Sequence, residues 1–234
     1  MKLDLLAFGA HPDDVELFAG GTMAKMASMG YSTGIIDMSR GELGTRGTPE
    51  IRKQEANKAA EILNVKIREN LRMPDGNVTM NQQSRLKVIK IIRNYRPQIV
   101  LTHHWDDKHP DHVNTSRIID EAVHHSGLAK IDTGQERYRP ETILYFKLPP
   151  GAPPSFVVDI SEFVDQRIEA IKAYKSQLYD PSSQAPMTKL SQPGFLSKVE
   201  AIHAYYGTLI DKRMGEGFFF KGILEIGDIV KQLS

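Results

Sequence analysis

Four short apolar runs, each followed by a segment with helical periodicity, constrain the fold of this chain more than any other feature. The runs are residues 3–8, 34–38, 65–71 and 99–102, the third of them interrupted by charges. Apolar residues at consecutive positions fit strands buried on both faces. Helical stretches follow at 15–29, ending at Gly30, and from Thr48 to about Leu63; two more run over 81–95, closed by Pro97, and over 112–126. In the second of these, Thr48 is expected to be the N-cap, Pro49 the first helical residue and Ile51 the first apolar contact. Four strand and helix pairs in succession predict an α/β fold, a mostly parallel sheet with helices on both faces.

Beyond Gly127 the pattern loosens into an irregular extension. Strands are expected at 142–148 and 156–160, around a proline-rich turn, and a helix from Ser161 as N-cap to about Leu178. Residues 181–193, rich in Pro, Ser and Gln, read as a loop that is either mobile or ordered against a partner or substrate. A helix at 196–206 and the aromatic run 218–220, assigned to core or subunit interface, complete the chain, which is expected to form one domain over 1–234.

Two clusters carry the chemistry. His11-Pro12-Asp13-Asp14 follows the first strand, and His109-Pro110-Asp111-His112 follows the fourth, so both fall at strand carboxyl ends, where open α/β sheets bind ligands. Asp13 or Asp14 standing alone would serve equally well as a helix cap. Paired with the second cluster, they match a catalytic metal site that keeps a position open for water. His103 and His104 also lie nearby, and spacing does not choose among the four imidazoles. There is no cysteine, so a metal must be held by His and carboxylate. Lys plus Arg number 30 against 29 Asp plus Glu, a net charge of +1 that offers no grip on nucleic acid or an anionic membrane. No signal-peptide pattern or apolar span of membrane length is visible, and a soluble cytoplasmic protein is expected. A nucleotide-binding or sugar-binding module without catalysis is the competing class. No G-x-G-x-x-G follows the first strand, and Gly20-Gly21 lies inside the helix.

These motifs, with the loop Arg40-Gly41-Glu42-Leu43-Gly44-Thr45 leading to Arg52 and Glu55, resemble the LmbE-like or PIG-L-like zinc-dependent GlcNAc deacetylases. The resemblance covers the first ~130 residues and implies a Rossmann-like fold. It implies His11, Asp14 and His112 as ligands of Zn²⁺, with Fe²⁺ and Co²⁺ as alternative metals, and Asp13 as general base. It further implies His109 as oxyanion stabiliser and acid, Asp111 as its orienting partner, and Arg52 and Asp75 as contacts to sugar hydroxyls. Residues 157–161, 173–177 and 215–218 look like the branch that deacetylates GlcNAc-malate in bacillithiol biosynthesis. Its malyl carboxylates call for a cation, for which Lys108 and Arg139 are the candidates. Met214-Gly215-Glu216-Gly217-Phe218 departs from the Tyr-Ala-Glu-Gly-Phe of relatives. Mycothiol-precursor, chitobiose and GlcNAc-phosphatidylinositol deacetylation therefore stand as alternatives. Relatives also imply a homo-oligomer, with a hexamer as its form.

Overall fold

Successive residues of the inner strands face opposite helical layers, which is why their sequences read as unbroken apolar runs. The computed structural model describes residues 1–223, 225, 227 and 228. Its parallel half comprises β1 Leu5–Gly9, α1 Asp14–Ser28, β2 Thr33–Ser39, α2 Pro49–Ile62, β3 Ile67–Met73, α3 Gln82–Tyr95, β4 Ile99–His103, α4 Pro110–Ser126 and β5 Thr142–Phe146. Leu6, Phe8, Ile36, Met38 and Val100 pack on Val88, Ile89 and Ile92 of α3 and on Ile118 and Ile119 of α4. Their strand neighbours Leu5, Ala7, Ile35 and Leu101 turn the other way, onto Val15, Ala19 and Met23 of α1 and Ala56 and Ala59 of α2. Each large side chain so buried contributes roughly 1.5–3 kcal/mol.

The sheet has seven strands in the order β3-β2-β1-β4-β5-β7-β6, with β1 to β4 parallel, as expected, and β5 parallel to them. From β1 the chain moves out to β2 and β3, then crosses back to β4 on the other side of β1. The carboxyl ends of β1 and β4 therefore flank the switch point of the sheet, where a crevice opens.

The carboxyl-terminal third is more regular than expected. It adds β6 Phe156–Asp159, α5 Val164–Lys172, α6 Phe195–Thr208 and β7 Gly215–Phe220; β7 pairs antiparallel with both β5 and β6. Phe218 of the aromatic run is fully buried in the core. Gly21 is required inside α1, because a Cβ there would stand 2.8 Å from Ile160 Cδ1.

Three expectations need correction. Ser161 opens a 3₁₀ turn, Ser161–Phe163, and is not the cap of a long helix: its Oγ bonds to Asp159 Oδ1 at 2.6 Å. The helix that follows stops at Lys172, giving way to turns around Tyr174. In α2, Thr48 does cap, accepting from Ile51 N–H at 3.3 Å, but Ile51 is exposed. The buried face of α2 begins instead with Arg52. Residues 181–193 hold neither helix nor strand, and the segment meets the glycine-rich loop, where Arg46 Nη2 donates to Ser183 Oγ at 2.8 Å. Among the described residues, no helix is long and apolar enough to cross a membrane.

Candidate active site and metal centre

After β1 the chain turns through Ala10, His11 and Pro12 into α1, with Asp13 at the N-cap position and Asp14 as the first helical residue. Asp13 has φ 114° and ψ −25°, a conformation costly for any residue but glycine. Its carbonyl accepts from Leu17 N–H at 3.0 Å. Arg52 Nη2 donates to the Pro12 carbonyl at 2.6 Å and to Asp13 Oδ2 at 3.1 Å. The Asp13 side chain caps no helical N–H, so it is held for another purpose. Gly41, at φ 66°, admits the guanidinium: a Cβ there would lie 1.7 Å from Arg52 Nη1.

His11, Asp14 and His112 converge from the ends of β1 and β4. His112 Nε2 lies 3.3 Å from Asp14 Oδ1, and His11 Nδ1 lies 3.4 Å from Asp14 Oδ2, which also accepts from the His11 backbone N–H at 2.8 Å. One donor atom from each of the three lies within 4.8 Å of the others. Two imidazoles and a carboxylate suit zinc and leave a coordination position open. The trios His11–His109–Asp111 and His103–Asp107–His112 are as close-set.

The electrostatics mark the same spot as one that demands positive charge. Burial opposes a charge on His11, yet hydrogen bonds to Asp111, Asp14 and Asp75 hold its imidazolium up to about 12. Burial also opposes the Asp14 charge, but His112 and His11 hold that carboxyl well below its ordinary range. Asp13 behaves differently: burial pushes it up to about 7, with Arg52 pulling down and Asp14 pushing up. Burial and the neighbouring His112 and His11 lower His109. Its Nδ1 accepts from Asp111 N–H at 3.2 Å, so in the neutral ring the proton sits on Nε2.

Asp111 corrects the expectation that it orients His109. Its carboxylate accepts from Gly76 N–H at 2.8 Å and Val78 N–H at 3.2 Å and faces His11 Nε2 at 3.4 Å. Only its backbone serves His109. Asp75 also lies against His11, with Oδ1 at 3.1 Å from Nε2, while its Oδ2 accepts from Leu43 N–H at 2.8 Å. Lys108 is exposed on the loop that carries His109. Arg139 does not reach the site: it donates to the His124 carbonyl at 2.8 Å, near the far end of the 17-residue α4. His124 is the 15th residue of the helix, so at 1.5 Å per residue its carbonyl lies about 21 Å from the amino end.

Sequence reasoning left His103 unassigned and missed Asp107 and Lys147. His103 is fully buried, its ring stacked on that of His112 at 4.0 Å. Burial and His112 lower it to about 3, consistent with Nε2 accepting from Ala10 N–H at 3.1 Å. His104 stacks instead on Trp105. Asp107 stands in the loop before His109 and could have been noticed there; Lys147, just past β5, carries no sequence signal.

Comparison with known proteins agrees with this geometry. The family model described as PIG-L, GlcNAc-PI de-N-acetylase, matches residues 6–123, just over half of the chain. The solved structure of the conserved protein TT1542 from Thermus thermophilus is 37% identical, with a TM-score of 0.87, covering 96% of this chain and 98% of that one. The diacetylchitobiose deacetylase of Thermococcus kodakarensis is 27% identical over 92% of this chain and 82% of its own length. A probable N-acetyl-alpha-D-glucosaminyl L-malate deacetylase 2 of Bacillus cereus is 28% identical over 76% of this chain and 84% of its own. With the His11–Asp14 and His109–His112 motifs at the predicted strand ends and the whole of the matched segment lying in the parallel half of the fold, the chain belongs to the PIG-L family of de-N-acetylases.

Proposed function

We propose that this protein hydrolyses the N-acetyl group of GlcNAc-malate, in bacillithiol biosynthesis, with a metal held by His11, Asp14 and His112. The observation that carries the proposal is the convergence of those three donors beside a buried carboxylate, Asp13, pushed up to about 7. A divalent cation bound there, Zn²⁺ with Fe²⁺ or Co²⁺ as alternatives, supplies Lewis acidity that polarises the acetamide carbonyl and acidifies water. Asp13 takes the proton of the attacking water, as a base matched to neutral pH. His109 donates a hydrogen bond from Nε2 to the developing oxyanion; a neutral ring has no second proton to give up, so the proton that Asp13 took passes to the leaving amine. Arg52 and Asp75 line the sugar pocket in this proposal, although Asp13, Pro12 and His11 already engage their charges. Lys108 receives the malyl carboxylate.

The coverage of the Thermococcus diacetylchitobiose deacetylase, 92% of this chain, favours a second reading with a neutral GlcNAc oligosaccharide as substrate. Acetate release from GlcNAc-malate, diacetylchitobiose and free GlcNAc, with metal content determined on the same preparation, separates the readings. Release from none of the three would overturn both. A homo-oligomer, such as a hexamer, belongs to the same proposal; exposed Ile202 and Tyr205 on α6 and Leu209 just past it support it, and sedimentation tests it.

A further inference from the structure

We infer that Asp107 and Lys147 form a positioning pair for His112, fixing which ring nitrogen faces the metal donors and how tightly it is held. The inference rests on the proposed role of His112 as a metal ligand and adds residues outside the ligand set. His112 presents Nε2 to Asp14 and turns Nδ1 the other way, where Asp107 Oδ2 lies 3.3 Å off. Lys147 Nζ sits 2.9 Å from that same oxygen and 2.7 Å from Nδ1. A neutral imidazole that ligates through Nε2 carries its proton on Nδ1, and Asp107 is the acceptor within reach. An ammonium only donates, so in the metal-free ring Lys147 gives a hydrogen bond to an unprotonated Nδ1; once Nε2 ligates and Nδ1 carries the proton, Lys147 serves the carboxylate alone and keeps it aimed at the ring.

Packing confines the His112 ring and the Asp107 carboxylate. The Asp107 and His112 side chains are only 7% and 6% exposed, so water competes little for either. His103 covers one face of the His112 ring, nearly parallel at 8°. Lys147 reaches the pair because the chain leaves β5 through a left-handed residue, φ 56°, with the ammonium 5.2 Å from the centre of the Phe18 ring. That backbone conformation is costly for lysine.

The experiment is a zinc affinity measurement by chelator competition, with the visible spectrum of the Co²⁺-loaded protein as a second readout. Asp107→Asn and Lys147→Met are expected to bind zinc roughly 10- to 100-fold more weakly and to shift the Co²⁺ bands, whereas Lys147→Arg recovers most of the affinity. If Lys147→Met fails to fold, Lys147→Gly carries the same test, because glycine accepts the left-handed backbone. Variants with a lower Tm but unchanged zinc affinity and Co²⁺ spectrum would show a merely structural pair and overturn the inference. Because no substrate is involved, a wrong substrate assignment leaves this result intact. Wild-type protein unable to bind metal would sink the His112 assignment and the inference together.

Discussion

One nitrogen of Arg52, Nη2, lies 2.6 Å from the Pro12 carbonyl and 3.1 Å from Asp13 Oδ2. The same group therefore pins the strained turn and sets the charge of the residue within it. Burial would raise Asp13 further without this cation. Arg52 is thus first a support for the Asp13 carboxylate and the turn that carries it.

Removing that charge has a definite sign. A general base works when deprotonated, so activity rises with pH through its pKa. Protein groups alone push Asp13 up to about 7, and a divalent cation held by Asp14 would pull it down. The acid limb of kcat/KM for metal-loaded enzyme is expected at or below about 7. Arg52→Met should move that limb to higher pH and lower turnover at neutral pH. A limb that stays in place would show that Arg52 does not tune the base.

Asp13→Asn keeps shape and removes the base. Metal content should be retained while kcat falls on the order of 10²-fold or more. Elemental analysis and single-turnover rates check both halves. Full activity in this variant would remove Asp13 from the mechanism.

What could be read from sequence follows physical rules of visibility. β1 and β4 were legible because burial on both faces spells itself as a run of apolar residues. The close of the helix at Lys172 was not, since Ile171 and Tyr174 continue an apolar stripe whose second half is spent on turns. His11, Asp14 and His112 announced themselves as compact motifs. The link between Lys147 and His112 spans 35 residues and has no spacing signature. Asp111 misled because adjacency to His109 suggested a side-chain contact, whereas its carboxylate is committed to Gly76 and Val78.

His109→Ala should spare metal binding and leave KM nearly unchanged while lowering kcat, because its Nε2 proton is needed chiefly in the transition state. Steady-state kinetics on the preferred conjugate measure the split. A rise confined to KM would recast His109 as a binding residue.

The location of Arg139 separates two cations that sequence could not. It is held at the His124 carbonyl, toward the far end of α4, whereas exposed Lys108 shares a loop with His109. If a malyl carboxylate contributes binding that free GlcNAc lacks, a charge-assisted contact at Lys108 should favour GlcNAc-malate in kcat/KM by roughly ten- to a hundredfold. Lys108→Ala should erase most of that preference by lowering kcat/KM for the malate conjugate alone. Arg139→Ala should leave both substrates unaffected. Competition kinetics between the two substrates, run on wild type and both variants, measure the three ratios directly. An Arg139→Ala variant that lost the preference would mean that Arg139 reaches a substrate by another route, such as a neighbouring copy of the chain. No preference in wild type would remove the malate assignment while leaving deacetylation of other GlcNAc conjugates in place.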